Sequence, residues 1–152
     1  MNDGVDNVGD RMAWAVHGLY NYDRWTFMGQ VTQYDYDMDI AEQGIVVGAY
    51  AYYDTIPSKA MLYSANIAYS LPVKWGPVTN LTFYNDLSLM TEKRFYDEDT
   101  LMNVFGIAVS AGGLYTYFDL VTARNQPFVG GSMSGEATGT NTRFNINIGY
   151  YF

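Results

Sequence analysis

The chain ends in the stretch Phe144–Phe152, which reads FNINIGYYF. With Arg143 included, its residues divide into two alternating sets. One set is apolar and comprises Phe144, Ile146, Ile148, Tyr150 and Phe152, whereas the other comprises Arg143, Asn145, Asn147, Gly149 and Tyr151. Because successive side chains of a β-strand point to opposite faces, this alternation predicts a strand with one apolar face. The last residues of a water-soluble domain are usually frayed and polar, so the apolar face needs a cover of another kind.

Seven further stretches have the length and composition of β-strands. They are Arg11–Tyr20, Trp25–Tyr34, Ile45–Tyr53, Ala60–Ser70, Thr79–Leu89, Leu101–Ala111 and Leu114–Arg124. None has the period of a helix, so the chain is predicted to be all-β with about eight strands. Most of these stretches alternate between an apolar and a more polar side, but Ile45–Tyr53 is apolar on both sides.

The composition excludes several classes of protein. The formal charge of −8 argues against nucleic-acid binding, because a phosphate backbone needs a basic surface. The chain has no cysteine, which excludes disulfide frameworks and thiolate metal sites. No apolar run reaches the roughly 18 residues that a membrane-spanning helix needs.

Charged and aromatic residues are distributed unevenly along the predicted strands. Only two carboxylates, Asp86 and Asp119, fall in the middle of a strand, and both are on its less apolar side. Aromatic residues concentrate near strand ends: Trp14, Tyr20, Trp25, Tyr34, Tyr53, Tyr69, Trp75, Tyr150 and Phe152. Aromatic girdles and a band without outward charge are typical of membrane barrels. The sequence therefore predicts an antiparallel transmembrane β-barrel, with apolar residues towards lipid and polar residues towards the lumen.

Loop lengths partly support this prediction. If the last strand runs from the outside to the periplasm, the long connections Thr91–Thr100 and Asn125–Asn141 are extracellular and the tight turn at Gly112–Gly113 is periplasmic, as in such barrels. Two connections do not fit: Asp35–Gly44 is long but would be periplasmic, and the short turn Asn21–Asp23 would be extracellular.

The terminal stretch RFNINIGYYF resembles the C-terminal signature of Gram-negative outer-membrane proteins. In that class the final aromatic residue is read by the barrel-assembly machinery, so the resemblance implies an assembly signal at Ile148, Tyr150 and Phe152. The segments 76–86 and 115–120 resemble the end of porins of the phosphate-selective O/P type. This second resemblance covers the C-terminal portion of the chain and agrees less well upstream.

The resemblance implies a bacterial outer-membrane protein in contact with lipid and lipopolysaccharide, and allows a homo-oligomer. It also implies a larger barrel of 16–18 strands with this chain as its C-terminal part. The polar start of the chain has no recognisable leader, which favours the same interpretation. Phosphate selectivity is not expected, because an anion-selective lumen needs Lys and Arg and this chain offers only Arg143 and Arg124 there.

The predicted function is a porin-like channel for passive diffusion of small polar solutes or ions. The residues expected to line its pore are His17, Gln30, Asn66, Asp86, Asp119, Arg143, Asn145 and Asn147. Asp86, Asp119 and Arg143 would either shape the field of the pore or form a structural ion-pair network. Residues 1–152 are treated as one barrel domain or barrel segment, with a polar extension at residues 1–10.

Catalysis, cofactors and metal ions are not expected. A triad of His17, Asp119 and a serine has no supporting motif. The run Asp35–Asp39 has carboxylates at alternate positions, like a calcium loop, but lacks the glycine and final glutamate of an EF-hand. It is interpreted as a solvated acidic turn, and Asp97–Asp99 as a plain acidic loop. Gly130–Ser132 lacks the strand–loop–helix context of a phosphate cradle.

Two alternatives remain open. One is a small closed barrel of eight strands with a structural or adhesive role, since eight strands leave an interior about filled by side chains. The other is a soluble β-barrel carrier whose apolar side chains point inward around an apolar ligand.

Overall fold

The protein is seen in a computed structural model, which describes residues 9–38, 44–49 and 52–152. These residues form antiparallel β-strands and one short 3₁₀ turn at Pro127–Val129, without an α-helix. The strands are β1 (Gly9–Tyr22), β2 (Trp25–Met38), β3 (Gly44–Ala49), β4 (Tyr52–Pro57), β5 (Lys59–Trp75), β6 (Val78–Thr91), β7 (Thr100–Ala111), β8 (Leu114–Arg124) and β9 (Asn141–Tyr150). The all-β prediction is confirmed.

Seven strands form one sheet in the order β1-β2-β5-β6-β7-β8-β9, and every neighbouring pair is antiparallel. Strands β3 and β4 pair only with each other, as a separate hairpin. Within the described residues β1 and β9 are the two edges of the large sheet, and no pairing joins them.

The predicted third strand, Ile45–Tyr53, is wrong. The structure divides this stretch between β3 and β4, and the residues up to Pro57 belong to β4 instead of a loop. Both segments have six residues, which is enough for a hairpin that leaves the main sheet. Period-two alternation could not reveal the reversal, because both sides of the stretch are apolar.

The register of the large sheet confirms the two sides predicted for its strands. Directly opposed residues share a face, so the row Tyr20, Phe27, Ile67, Asn85, Phe105, Leu120 and Phe144 runs across one face of all seven strands. We call this side the apolar face. The opposite side, the polar face, carries the row His17, Gln30, Ser64, Ser88, Met102 and Ala123.

The amides Asn85 and Asn103 interrupt the apolar face, and they satisfy each other. Asn85 Nδ2 donates to Asn103 Oδ1 at 3.1 Å, and Asn103 Nδ2 donates to Asn85 Oδ1 at 3.0 Å. Asn85 also donates to the carbonyl of Val104 at 3.2 Å. The pair therefore costs little in an apolar setting, because its strongest polar groups are bonded within the protein.

The short and long connections lie at opposite ends of the sheet. The turns at Asp23–Arg24, Gly76–Pro77 and Gly112–Gly113 share one end, which we call the turn end. Gly76 and Gly112 have positive φ of 58° and 61°, which glycine adopts without a steric penalty. All longer connections lie at the other end, the loop end. The two exceptions expected from the sequence disappear, because the β3–β4 hairpin leaves the sheet and makes β2 and β5 neighbours.

Most buried residues of the large sheet lie on the polar face near the loop end, while Gly106 and Asp119 are buried at its middle. Ala60 and Ala123 are 0% exposed, Val121 3%, Thr100 5% and Met90 7%. The connecting segments that cover them contribute their own buried residues, namely Pro57, Ser58, Lys93, Asn125, Gln126 and Pro127. The loop segments therefore pack against the polar face, and the apolar face has no comparable cover among the described residues.

One contact across the polar face depends on a missing side chain. Tyr84 of β6 lies over Gly106 of β7, and its hydroxyl donates to Asp119 of β8. A Cβ atom at Gly106 would overlap the phenol ring of Tyr84. The glycine thus gives the tyrosine a path across one strand to the carboxylate on the next.

We expect the substitution Gly106→Ala to destabilise the folded chain by about 1–3 kcal/mol, because the added methyl displaces Tyr84 and breaks its bond to Asp119. The measurement is urea unfolding of protein refolded in detergent, followed by tryptophan fluorescence.

The matched control is Gly29→Ala in β2, where an added Cβ meets no atom within 4 Å. This variant should unfold within about 0.5 kcal/mol of the parent. Equal destabilisation of both variants would show that strand glycines are sensitive in general and that the Tyr84 contact has no special role.

Candidate functional site

The polar face is the candidate site, because it collects the residues predicted to line a pore. The register places all eight of them on this face: His17, Gln30, Asn66, Asp86, Asp119, Arg143, Asn145 and Asn147. Their placement shows that they share one surface. That this surface lines a pore stays a prediction.

The two carboxylates accept hydrogen bonds from neutral donors. Asp86 is bonded by Nδ2 of Asn66, directly opposite it on β5. Asp119 is 8% exposed and accepts from the Tyr84 hydroxyl, from Asn145 at 3.2 Å and from Asn147 at 3.5 Å. Hydrogen bonds from neutral groups add no positive charge, and among the described residues neither carboxylate has an ion-pair partner, so we call them the two uncompensated carboxylates.

Arg143 does not join these carboxylates. Its Nη1 donates to the carbonyl of Phe128 at 2.9 Å, and its guanidinium lies 4.8 Å from the centre of the Phe128 ring. The distance suits a cation–π contact. The predicted ion-pair network among Asp86, Asp119 and Arg143 is therefore wrong, because the arginine holds the 3₁₀ turn to β9 instead.

His17 lies far from the groups that could make it catalytic. It is on β1 and Asp119 is on β8, with four strands between them in the sheet. The hydrogen bonds of a Ser-His-Asp triad need separations of about 3 Å. The structure does not assemble the triad considered from the sequence.

Ion pairs and hydrogen bonds connect the segments at the loop end. Asp35 of β2 accepts Arg94 Nη2 at 2.9 Å and Lys59 Nζ at 3.0 Å, and Arg94 also lies 3.5 Å from Asp37. The backbone N–H of Arg94 donates to the carbonyl of Lys59 at 3.0 Å. Arg94 thus fixes the β6–β7 connection against β2 and β5.

The β3–β4 hairpin is attached to the β8–β9 connection through one carboxylate. Asp54 Oδ1 accepts the hydroxyl of Ser132 at 2.6 Å, and Oδ2 accepts the backbone N–H of Met133 at 3.0 Å. Because both partners are in the Gly- and Ser-rich segment, Asp54 orders a stretch that has little apolar side chain to bury. We call this group the Asp54 clamp.

Lys93 joins the same region from the β6–β7 connection. It is 8% exposed, and its Nζ donates to the carbonyl of Met133 at 3.0 Å and to Thr100 Oγ1 at 3.2 Å. Burial lowers the pKa of its ammonium, while nearby Asp99 opposes this effect. Since the unfolded chain then holds the proton more tightly, the free energy of unfolding rises with pH between the lowered pKa and the usual value near 10.4.

The acidic segments differ from the sequence interpretation. Asp35 and Asp37 lie within β2 and pair with Arg94, so the predicted solvated acidic turn is wrong for the described residues; Asp39 lies outside them. In the acidic loop Glu98 lies 3.9 Å from Arg124. Among the residues that the structure describes, no group of three or more acidic or histidine side chains could hold a metal ion.

Sequence reasoning missed the Tyr84–Gly106 contact, the Asn85–Asn103 pair and the Asp54 clamp. The first two depend on which residues face each other on neighbouring strands, and the clamp joins segments far apart in the chain. A single sequence carries no direct signal for such pairings. Only the presence of Asn85 and Asn103 among apolar neighbours could have marked them as needing partners.

Comparisons with family models, with curated proteins and with solved structures gave no match to this chain. The resemblance to O/P-type porins therefore stays an expectation from the sequence. In the described residues no helix is long and apolar enough to cross a membrane.

We expect Asp54→Ala to release the hairpin from the Gly- and Ser-rich segment without unfolding the large sheet. Hydrogen exchange of the Met133 amide should accelerate by at least tenfold, because its acceptor is lost. The control is Asp97→Ala, an exposed carboxylate with no bonded partner among the described residues. Unchanged exchange at Met133 would contradict the clamp.

Proposed function

We propose that this chain forms a section of the wall of a bacterial outer-membrane β-barrel, with the polar face lining a porin-like aqueous passage. The observation that carries the proposal is which face of the large sheet the connecting segments cover. The chain packs its own connections onto the polar face, and among the described residues the apolar face has no comparable cover. A water-soluble sheet protein would use those segments to cover its apolar face.

The apolar face has the height and the charge distribution of a lipid-facing surface. On β5 its side chains from Met61 to Leu71 are uncharged, and lysines at positions 59 and 74 stand at either end. Ten residue steps span about 34 Å along a strand, or about 26 Å at a tilt of about 40°. This agrees with the roughly 25 Å apolar band of outer-membrane barrels.

Aromatic side chains gather at the turn end of the apolar face. Trp25 packs on Tyr69 with ring centres 4.8 Å apart, and Phe27 lies 6.0 Å from Trp25 and 6.3 Å from Tyr20. Such a cluster of aromatic side chains is typical of the membrane–water interface. Tyr34 does not join it, because it lies on the polar face and donates to the carbonyl of Pro57 at 2.9 Å.

The number of strands supports a section of a wall and not a barrel closed by these strands alone. Seven alternating strands make β1 and β9 run in the same direction, so joining them directly would require a parallel pair. Bacterial outer-membrane barrels are antiparallel with an even number of strands, and lipid does not tolerate unpaired edges. An odd number of further strands, from polypeptide outside the described residues, completes the barrel.

The alternatives receive less support. A closed eight-stranded barrel would need the hairpin strands in the wall, yet β3 and β4 pair only with each other. A soluble carrier would enclose its apolar side chains. Here Phe105, Ile146 and Ile148 on the apolar face are 53%, 51% and 70% exposed within the described chain.

Neighbouring residues of β7 provide a matched test, because Phe105 lies on the apolar face and Val104 on the polar face. We expect Phe105→Lys to reduce refolding into lipid vesicles, since a lysine near the bilayer midplane costs about 2–4 kcal/mol. Val104→Lys should refold like the parent, with its ammonium opposite Asp86. The measurement is the fraction of protein protected from trypsin after refolding. Equal yields for both variants, or a parent that is soluble and monomeric without detergent, would contradict the membrane proposal.

The two uncompensated carboxylates predict the sign of ion selectivity. In a planar bilayer with a salt gradient we expect cation-selective conductance from the closed barrel that contains this section, and Asp86→Asn should move the reversal potential towards zero. The control Asp97→Asn changes the net charge equally but lies in a loop. Anion selectivity would contradict the proposed field. Silent bilayers from the folded, closed barrel would contradict the channel.

A further inference from the structure

A cavity of about 450 Å³ lies on the polar face at mid-height of strands β1, β2, β5 and β6. Its walls include His17, Leu19, Met28, Asn66, Asp86 and Met102. The loop segments cover this face near the loop end, so the cavity stays open. Leu19 and Met28 are 60% and 44% exposed, although most exposed apolar side chains of the sheet lie on the opposite face.

The polar groups of the cavity offer more acceptors than donors. Nδ2 of Asn66 donates to Asp86, but its Oδ1 is buried and receives no hydrogen bond from the described residues. Asp86 has no salt-bridge partner among the described residues and no second side-chain donor. A buried amide oxygen without a donor is costly, and a charged carboxylate can accept several bonds. Asp86 lines the cavity and therefore has bonding capacity that the described residues do not use.

Most of the remaining surface is apolar, although His17, Gln30, Ser64 and Ser88 also line the cavity. Leu19, Met28 and Met102 come from three strands and present aliphatic carbon and two thioether groups beside the acceptors. Thioether side chains adapt to varied shapes and contact aromatic rings favourably. A ligand that uses the whole cavity therefore has an apolar body as well as a donor group.

We propose that this cavity binds small organic cations in which a primary ammonium group is attached to an apolar body. The ammonium donates to the Asp86 carboxylate, and the body lies on Leu19, Met28 and Met102. Anions are repelled by Asp86, and a hydrated inorganic cation makes no use of the apolar surface. The proposal rests on the proposed function only in placing this face in contact with water.

The test uses benzylammonium as probe on protein refolded in detergent and labelled with ¹³C at the methionine methyl groups. Benzylammonium should shift the Met28 and Met102 methyl resonances saturably, through the ring current of its phenyl group. Met12 is the internal control, because it is 55% exposed on the apolar face and reports partition into detergent. Benzyl alcohol and benzoate have the same ring with no charge or the opposite charge, and each should bind at least tenfold more weakly.

Asp86→Asn should weaken benzylammonium binding about tenfold and leave benzyl alcohol unaffected, because it removes the charge and keeps the shape. Asp97→Asn removes an equal charge from the loop and should bind like the parent. If Asp86→Asn fails to fold, the three probes on the parent protein still decide the matter.

Two results would overturn the proposal: equal binding of benzylammonium and benzyl alcohol, or shifts confined to Met12. Conductance separates this proposal from the pore. Charge-dependent binding in a closed barrel that gives silent bilayers supports the site and contradicts the channel. Cation-selective conductance without binding supports the channel and contradicts the site.

Discussion

The structure depends on which face of the sheet the rest of the chain covers. Main-chain hydrogen bonds would hold the strands together with either face buried, so they do not determine the choice. Burial determines the choice. Ala60, Val121 and Ala123 are buried on the polar face, at the end of the sheet where the long connections lie. The apolar face is then left for another solvent or partner. In the proposed outer-membrane barrel, lipid covers this face without further protein.

Covering the polar face shapes the surface that remains. Ionic and polar contacts join the loop segments to the sheet and to one another, as in the Asp35–Arg94 pair and the Asp54 clamp. The loop segments cover the loop end of the polar face and leave its middle open. The open middle carries Asp86 and Asp119, whose bonds to neutral partners preserve their charge. In the proposed wall, covering the loop end of the polar face therefore leaves the apolar face to lipid and the two carboxylates to the lumen.

The two mid-strand carboxylates of the polar face differ in their hydrogen bonding. Asp119 is saturated by a tyrosine and two asparagines, and the tyrosine reaches it only because Gly106 has no side chain. Asp86 has one bonded neighbour and lies beside a buried acceptor that lacks a donor. The first arrangement is typical of a structural group, because its bonding capacity is used within the protein. In the second arrangement, Asp86 has lone pairs that are available to a ligand.

The sequence alone determined the all-β class, the two faces of every strand in the large sheet, and the residues that share the polar face. These follow from the fixed period of two, which assigns each side chain to a face wherever one side is apolar and the other polar. It failed at Ile45–Tyr53, where both sides are apolar and alternation carries no information. Only the tertiary structure decided that this stretch becomes a hairpin, that β2 and β5 are neighbours, and that Tyr84 meets Asp119. The physical reason is that strand pairing and register depend on contacts between distant parts of the chain, and a local pattern does not contain them.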